Sequence, residues 1–265
     1  MDDSLETLDW LGRPVQCDDC RHKAMRSLGL CRKGKTCVRD RRAKRVDNFF
    51  ASRPELANEY LDHPYFEVRT IAAKYASVFR LPPLLHDEEP EVRAMAVLRL
   101  PLARIGAHAR DPDRRVRIAA ASRLKGIALV VMLMDEDSYV RSVVVRRLSP
   151  GQLVLAIHDP DPAVRRLVAQ RVVETRLGDM ADDPDPVVRL EVAERLPAAK
   201  LARLAADPDL RVRFRVAERL PVTLLPTLQD DAEPLVRDLV RSRLVVDGAD
   251  ARGRDDTEKA HGTGT

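Results

Sequence analysis

From Val68 onward the chain writes one pattern of apolar and polar positions again and again. The dipeptide Val-Arg stands at Val68, Val92, Val116, Val140, Val164, Val188, Val212 and Val236, always 24 residues apart and without an insertion, so the segment is a repeat array. Counting from Val164, apolar side chains return at Val168, Ala169 and Val172, and the same columns of the other copies hold almost only Ala, Val or Leu. That spacing is one face of an α-helix. Asp161 before Pro162, and Asp185 before Pro186, supply an N-cap acceptor followed by a proline at the first helical position, where its missing N–H costs nothing. A basic residue in the last turn, as at Arg171 or Arg195, is placed to complement the dipole of its helix. Each phrase therefore predicts a helix of roughly three turns.

The rest of each repeat is too short for a second full helix and often contains Pro or Gly. It has apolar pairs three residues apart: Leu81/Leu84, Leu129/Met132, Leu177/Met180, Leu201/Leu204 and Leu225/Leu228. A period of three in a short segment predicts 3₁₀ geometry. Strict alternation of apolar and polar residues is absent, so the expected fold class is all-α, with one α-helix and one 3₁₀ helix per repeat. Acids also keep register, at Asp87, Asp111, Asp135, Asp159, Asp183, Asp207 and Asp231, and two residues later at Glu89, Asp113, Asp137, Asp161, Asp185, Asp209 and Glu233. The first copy departs, with His63 and Tyr65 in those columns. The arginine column could grip a polyanion, but acids and arginines occur in equal supply, so each Arg is expected to pair within its own or an adjacent repeat. The columns of Arg166 and Gln170 do not repeat; they are either an extended partner surface or plain solvated positions.

Composition changes this picture mainly at the N-terminus. The chain has 265 residues with 4% aromatic and 33% charged side chains, which suits aliphatic helices with a large wetted surface. Residues 1–45 hold 12 Lys/Arg against 7 Asp/Glu, whereas residues 46–245 hold 31 against 30. The basic character thus belongs to the first 45 residues, and the repeat region is no polyanion binder by charge alone. The acidic N-terminus and the absence of a long apolar run lead to the expectation of a cytoplasmic protein with no membrane segment. The polar tail 246–265 is expected to be disordered.

All four cysteines, Cys17, Cys20, Cys31 and Cys37, fall within 21 residues. Such clustering in a cytoplasmic chain points to metal ligation rather than disulfides. Four thiolates suffice for tetrahedral Zn or for a 4Fe-4S cluster. The C-x2-C-x10-C-x5-C spacing fits neither a bacterial ferredoxin run nor a symmetric zinc ribbon, and taken alone leaves zinc slightly ahead. His22 is expected at the surface rather than as a ligand, and Trp10 with Leu11 as a small hydrophobic cover. The eleven Lys and Arg between Cys17 and Arg45, among them Lys23, Arg26, Lys33 and Arg39, could contact nucleic acid. No aromatic residue interleaves them, however, so bases would have no stacking platform. His86, His108 and His158 lack partner spacing, no glycine-rich phosphate loop or nucleophile-base pairing emerges, and no catalytic residue or enzymatic activity is expected.

The unit D-P-D-x-x-V-R with its later R-L, as at Arg195-Leu196 and Arg219-Leu220, resembles the leucine-rich repeat variant family. It lacks the strand motif of ordinary leucine-rich repeats, and it shares D-P and V-R with HEAT-type repeats, whose unit is longer. The resemblance implies a right-handed solenoid alternating α and 3₁₀ helices. Some members carry an N-terminal iron-sulfur domain, so it also implies a 4Fe-4S cluster with Cys17, Cys20, Cys31 and Cys37 as its iron ligands, and this places iron ahead of zinc. The expected organisation is a cluster domain over residues 1–45 capping eight repeats over 46–245. The expected role is electron transfer or redox-responsive interaction with a protein partner, with the solenoid as scaffold. The rivals are a zinc-stabilised module that binds nucleic acid and a purely structural protein-interaction solenoid.

Overall fold

A computed structural model describes residues 7–246. The first six residues lie outside them, as does the expected disordered tail from Asp247 on; Val246 still belongs to the last helix. Among the described residues there is no strand, only two isolated bridges, Leu8 with Pro14 and Arg32 with Thr36. The chain divides into two compact units, residues 1–144 and 145–265.

The first unit opens with the cysteine segment, which contains the short helix α1 (Lys23–Ser27) and leads into α2 (Ala43–Ser52). The expected boundary after Arg45 falls inside α2. A 3₁₀ helix, Pro54–Tyr60, then joins the repeats, beginning with α3 (Phe66–Tyr75) and α4 (Pro90–Arg99), followed by helix Arg114–Arg123 and by the start of Ser138–Arg147, within which the unit ends. Helix starts at residues 66, 90, 114 and 138 reproduce the 24-residue register. The apolar column is the interior: Val68, Ala72, Ala73, Val92, Ala96, Val97, Val116, Ala120 and Ala121 are all fully buried. Between the helices run 3₁₀ segments Pro82–His86, Gly106–Arg110 and Val131–Met134. Two of these are preceded by one α-turn, Leu102–Ile105 and Gly126–Val130, so the linker is not 3₁₀ throughout.

The second unit continues the alternation with helices Pro162–Ala169, Pro186–Arg195 and Leu210–Arg219 and a last helix over 234–246. Their linkers carry 3₁₀ helices Gln152–Ala156, Gly178–Met180, Ala198–Leu204 and Val222–Leu228. The apolar pairs Leu201/Leu204 and Leu225/Leu228 lie within 3₁₀ helices and are buried, as fits i and i+3 on one face; Leu177/Met180 is buried too, although Leu177 ends an α-turn, Glu174–Leu177. Asp161, Asp185 and Asp209 cap their helices by accepting the N–H of Ala163, Val187 and Arg211.

Within each unit the arginine column is a structural clamp. Arg69 donates Nε and Nη2 to the two oxygens of Asp87 at 2.9 and 2.8 Å, and Nη1 to the carbonyls of His63 and Pro64. Arg93 grips Asp111 and Arg117 grips Asp135 in the same way. In the second unit Arg165, Arg189 and Arg213 hold Asp183, Asp207 and Asp231. Each guanidinium thus ties the loop of its own repeat to the acid of the next by a bidentate pair.

The basic residues of the last turns, Arg99, Arg123 and Arg195, also have a second role. Arg195 donates Nη2 to the carbonyl of Val172 at 2.8 Å, and Arg123 donates to those of Val97, Leu98 and Leu100. Arg99, Arg171 and Arg243 act alike on the preceding repeat. A helix C-terminus leaves carbonyls without intrahelical partners, and here the next repeat's arginine satisfies them.

Candidate cluster site

The cysteine segment is built from turns. Cys20 donates its N–H to the carbonyl of Cys17 at 3.2 Å, and Lys23 donates to that of Cys20 at 2.9 Å, which folds the C-x-x-C into the start of α1. Just past its C-cap, Leu28, stands Gly29, whose φ of 71° is the left-handed geometry glycine accepts without strain. Leu30 N–H reaches back to the Met25 carbonyl and Gly29 N–H to that of Arg26, a Schellman closure that turns the chain toward Cys31. Arg32 and Thr36 then exchange both backbone hydrogen bonds, at 2.9 and 2.8 Å, across a turn with Gly34 at φ 78°. This tight hairpin sets Cys31 and Cys37 on its two flanks. The C-x5-C spacing is therefore the length of one hairpin.

The four thiols are free, and all of them line a single small pocket with Val15, Gln16, His22, Lys23, Arg26, Lys33, Thr36 and Arg39. Burial pushes the Cys31 thiol up, helped by the neighbouring Cys20 and Cys17, while Arg26 works against this. Burial likewise pushes Cys37 up, to about 11. Bare thiols of this kind are protonated at neutral pH, so binding a metal group releases protons. Cys20 Sγ also accepts the N–H of His22 at 3.4 Å, a bond that stabilises thiolate sulfur in cysteine-held centres. Four free sulfurs lining one pocket, with cations close by, fit an anionic cysteine-held group.

The pocket is fixed to α2 from below. Cys37 N–H donates to the Arg45 carbonyl at 3.1 Å. Arg45, buried despite its charge, pairs with the equally buried Asp40 at 2.8 Å, and Asp40 accepts the N–H of Arg42 as well.

His22 departs from its expected surface position. It is buried, with Nε2 2.5 Å from the Tyr60 hydroxyl and its ring against Phe49. Tyr60, which sequence reasoning missed, packs against His22; its phenol is pushed up to about 12, chiefly by burial. Of the expected cover, Trp10 packs edge-on against His63 and is stacked over Tyr65, with centroids 4.6 and 6.4 Å away. Leu11 does not take part and is 60% exposed. The cover explains the irregular first repeat: His63 Nδ1 accepts the Tyr65 N–H at 3.1 Å, where later repeats use the carboxylate, as Asp87 does for Glu89. His108 lies in an apolar pair column, its Nε2 3.1 Å from the Leu85 carbonyl. In the non-repeating columns Arg166 and Gln170 both bind Glu191 of the next repeat. Among the described residues no helix is long and apolar enough to cross a membrane.

Comparison with known proteins agrees with this geometry. Residues 7–59 match the family model described as the LRV protein FeS4 cluster. Over 103 residues, 39% of the chain, the sequence is 54% identical to an uncharacterized 27.7 kDa protein of the nifB 3′ region of Rhodobacter capsulatus. That match spans 42% of the relative's length. A solved structure described as a leucine-rich repeat variant with a novel repetitive structural motif superposes with a TM-score of 0.82 at 39% identity, covering 87% of this chain and 99% of that one. With a cluster-domain match at its N-terminus and the variant repeat over nearly all the rest, the chain belongs to the leucine-rich repeat variant family as an iron-sulfur repeat protein.

Proposed function

We propose that Cys17, Cys20, Cys31 and Cys37 hold a 4Fe-4S cluster, and that the protein uses it for electron exchange with, or redox-dependent binding of, a protein partner, the repeats serving as scaffold. The observation that carries this reading is that all four free thiols line one pocket. Iron is preferred to zinc because residues 7–59 match the family model described as the LRV protein FeS4 cluster. When bound, such a cluster supplies a one-electron couple. The chain's own residues set its surroundings: His22, held by Tyr60 and Phe49, donates its N–H to Cys20 Sγ, and Lys23, Arg26, Lys33 and Arg39 offset negative charge. Four protein ligands leave no iron site open to substrate, which argues against an enzymatic role for the cluster.

The reading is tested by a potentiometric titration of the anaerobically purified protein, followed by electron paramagnetic resonance. It expects a reversible one-electron couple within the range of about −700 to +450 mV open to such clusters. A centre that changes oxidation state only with loss of iron would contradict electron exchange and leave the cluster a structural staple.

A further inference from the structure

The rim of the cysteine pocket carries exposed cations that no carboxylate absorbs. In the repeats, register arginines are absorbed by bidentate pairs with buried acids. At the rim, Lys23, Arg26 and Lys33 are exposed and form no ion pair among the described residues. Arg39 differs, since it is half-buried and donates to the Gln16 carbonyl at 2.9 Å. Lys23 and Arg26 stand three apart on α1 and so share a face of that helix. Between Cys17 and Arg45 only Asp18, Asp19 and Asp40 oppose eleven cations, and Asp40 is buried against Arg45.

The second observation is apolar. Leu28 is 71% exposed and Leu30 37% exposed, both in the turn that delivers Cys31. Side chains of that size held in water by a closed Schellman turn gain nothing from a phosphate backbone, which is bound through cations and N–H groups. Apolar contacts inside a charged rim are the anatomy of a protein interface, and the excess of cations selects an acidic partner. The absence of any aromatic residue between Cys17 and Arg45 removes the stacking surface that single-stranded nucleic acid uses.

We infer that the Lys23, Arg26 and Lys33 rim, with Leu28 and Leu30 in the turn that follows α1, is the docking face for an acidic electron-carrier protein. The inference rests on the electron-exchange reading above. The transfer moves one electron between the carrier's centre and the group held by the thiols, with no bond made or broken. Charge steers the encounter, and the leucines fix it at the edge where the thiols reach the surface.

The test uses the cluster-loaded full chain, its Lys23→Glu/Lys33→Glu variant, and a small acidic plant-type ferredoxin as the probe. Iron content and visible absorption are compared first. Stopped-flow electron exchange is then followed as ionic strength rises. The expected rate constant for the unaltered chain falls with salt, and the variant is slower by on the order of tenfold at low salt. Because Lys23 and Lys33 also line the thiol pocket, the potential of each protein is measured beforehand; rates compared at equal driving force should converge near ~0.5 M, where screening is short-ranged. A rate indifferent to salt and to both substitutions overturns the inference, as does a 20-base-pair DNA duplex that competes for the rim. Direct titration of ferredoxin onto both proteins separates the two claims. Binding that the variant weakens about tenfold, without electron exchange, keeps the docking face and removes the electron-transfer reading.

Discussion

Asp209 shows how much one side chain does in this repeat. Its Oδ1 accepts the Arg211 N–H at 2.8 Å to cap the helix, and the Arg211 guanidinium closes on both oxygens at 3.0 and 2.7 Å. That guanidinium, with the backbone N–H, holds the Asp209 carboxyl at about 2; Asp113 beside Arg115 is held at about 2 in the same way. An unfolded-chain Asp titrates near ~3.9. The folded value is the lower one, so these contributions to stability are complete above about pH 4 and are lost as pH falls toward about 2. Asp209→Asn keeps an N-cap acceptor and removes the titration. Thermal unfolding of this variant is expected to lose midpoint less steeply than the unaltered chain between about pH 4 and 2. Equal slopes would show that the cap carboxylate does not carry the acid dependence.

At the scale of elements, the joint between repeats is a polar clamp over an aliphatic interior. Arg189 ties the carbonyls of Asp183 and Pro184 to the carboxylate of Asp207, and both charged side chains are buried. Arg189→Ala leaves a buried carboxylate and two carbonyls without their donor, and is expected to cost about 3–5 kcal/mol in denaturant unfolding. A cost below about 1 kcal/mol, the level of an exposed pair, would reduce the clamp to ornament. The columns behind this joint were legible in the sequence, because period and spacing alone define a helix face and its cap. Which partner each charge reaches was not. Arg195 stands at the end of one helix but serves the carbonyl of Val172 in the repeat before; only the stacking of one repeat on another decides that. The α-turns at Leu102–Ile105 and Gly126–Val130 likewise have no counterpart in the apolar pairs, which are the same for either helix type over so short a run.

Across the whole molecule the chemistry sits at one end of the sequence, and the composition records it. Eight of the ten aromatic residues lie between Trp10 and Phe79, and most of them pack as the shell of the cysteine segment and first repeat. That concentration was the signal by which Tyr60 and the buried His22 could have been found. The four thiols were legible from their clustering, since no cysteine occurs elsewhere. Their arrangement around a shared pocket needed the hairpin at Arg32–Thr36, a turn that spacing permits but does not specify. A segment so small and polar has little core of its own, and a bound metal group supplies the missing cross-link. The most direct measurement is an assay of iron, acid-labile sulfide and zinc per chain after purification without oxygen, together with the visible spectrum. The account predicts about four irons and four sulfides, no zinc, and broad absorption that bleaches with dithionite. A colourless protein with one zinc per chain and no sulfide would contradict it.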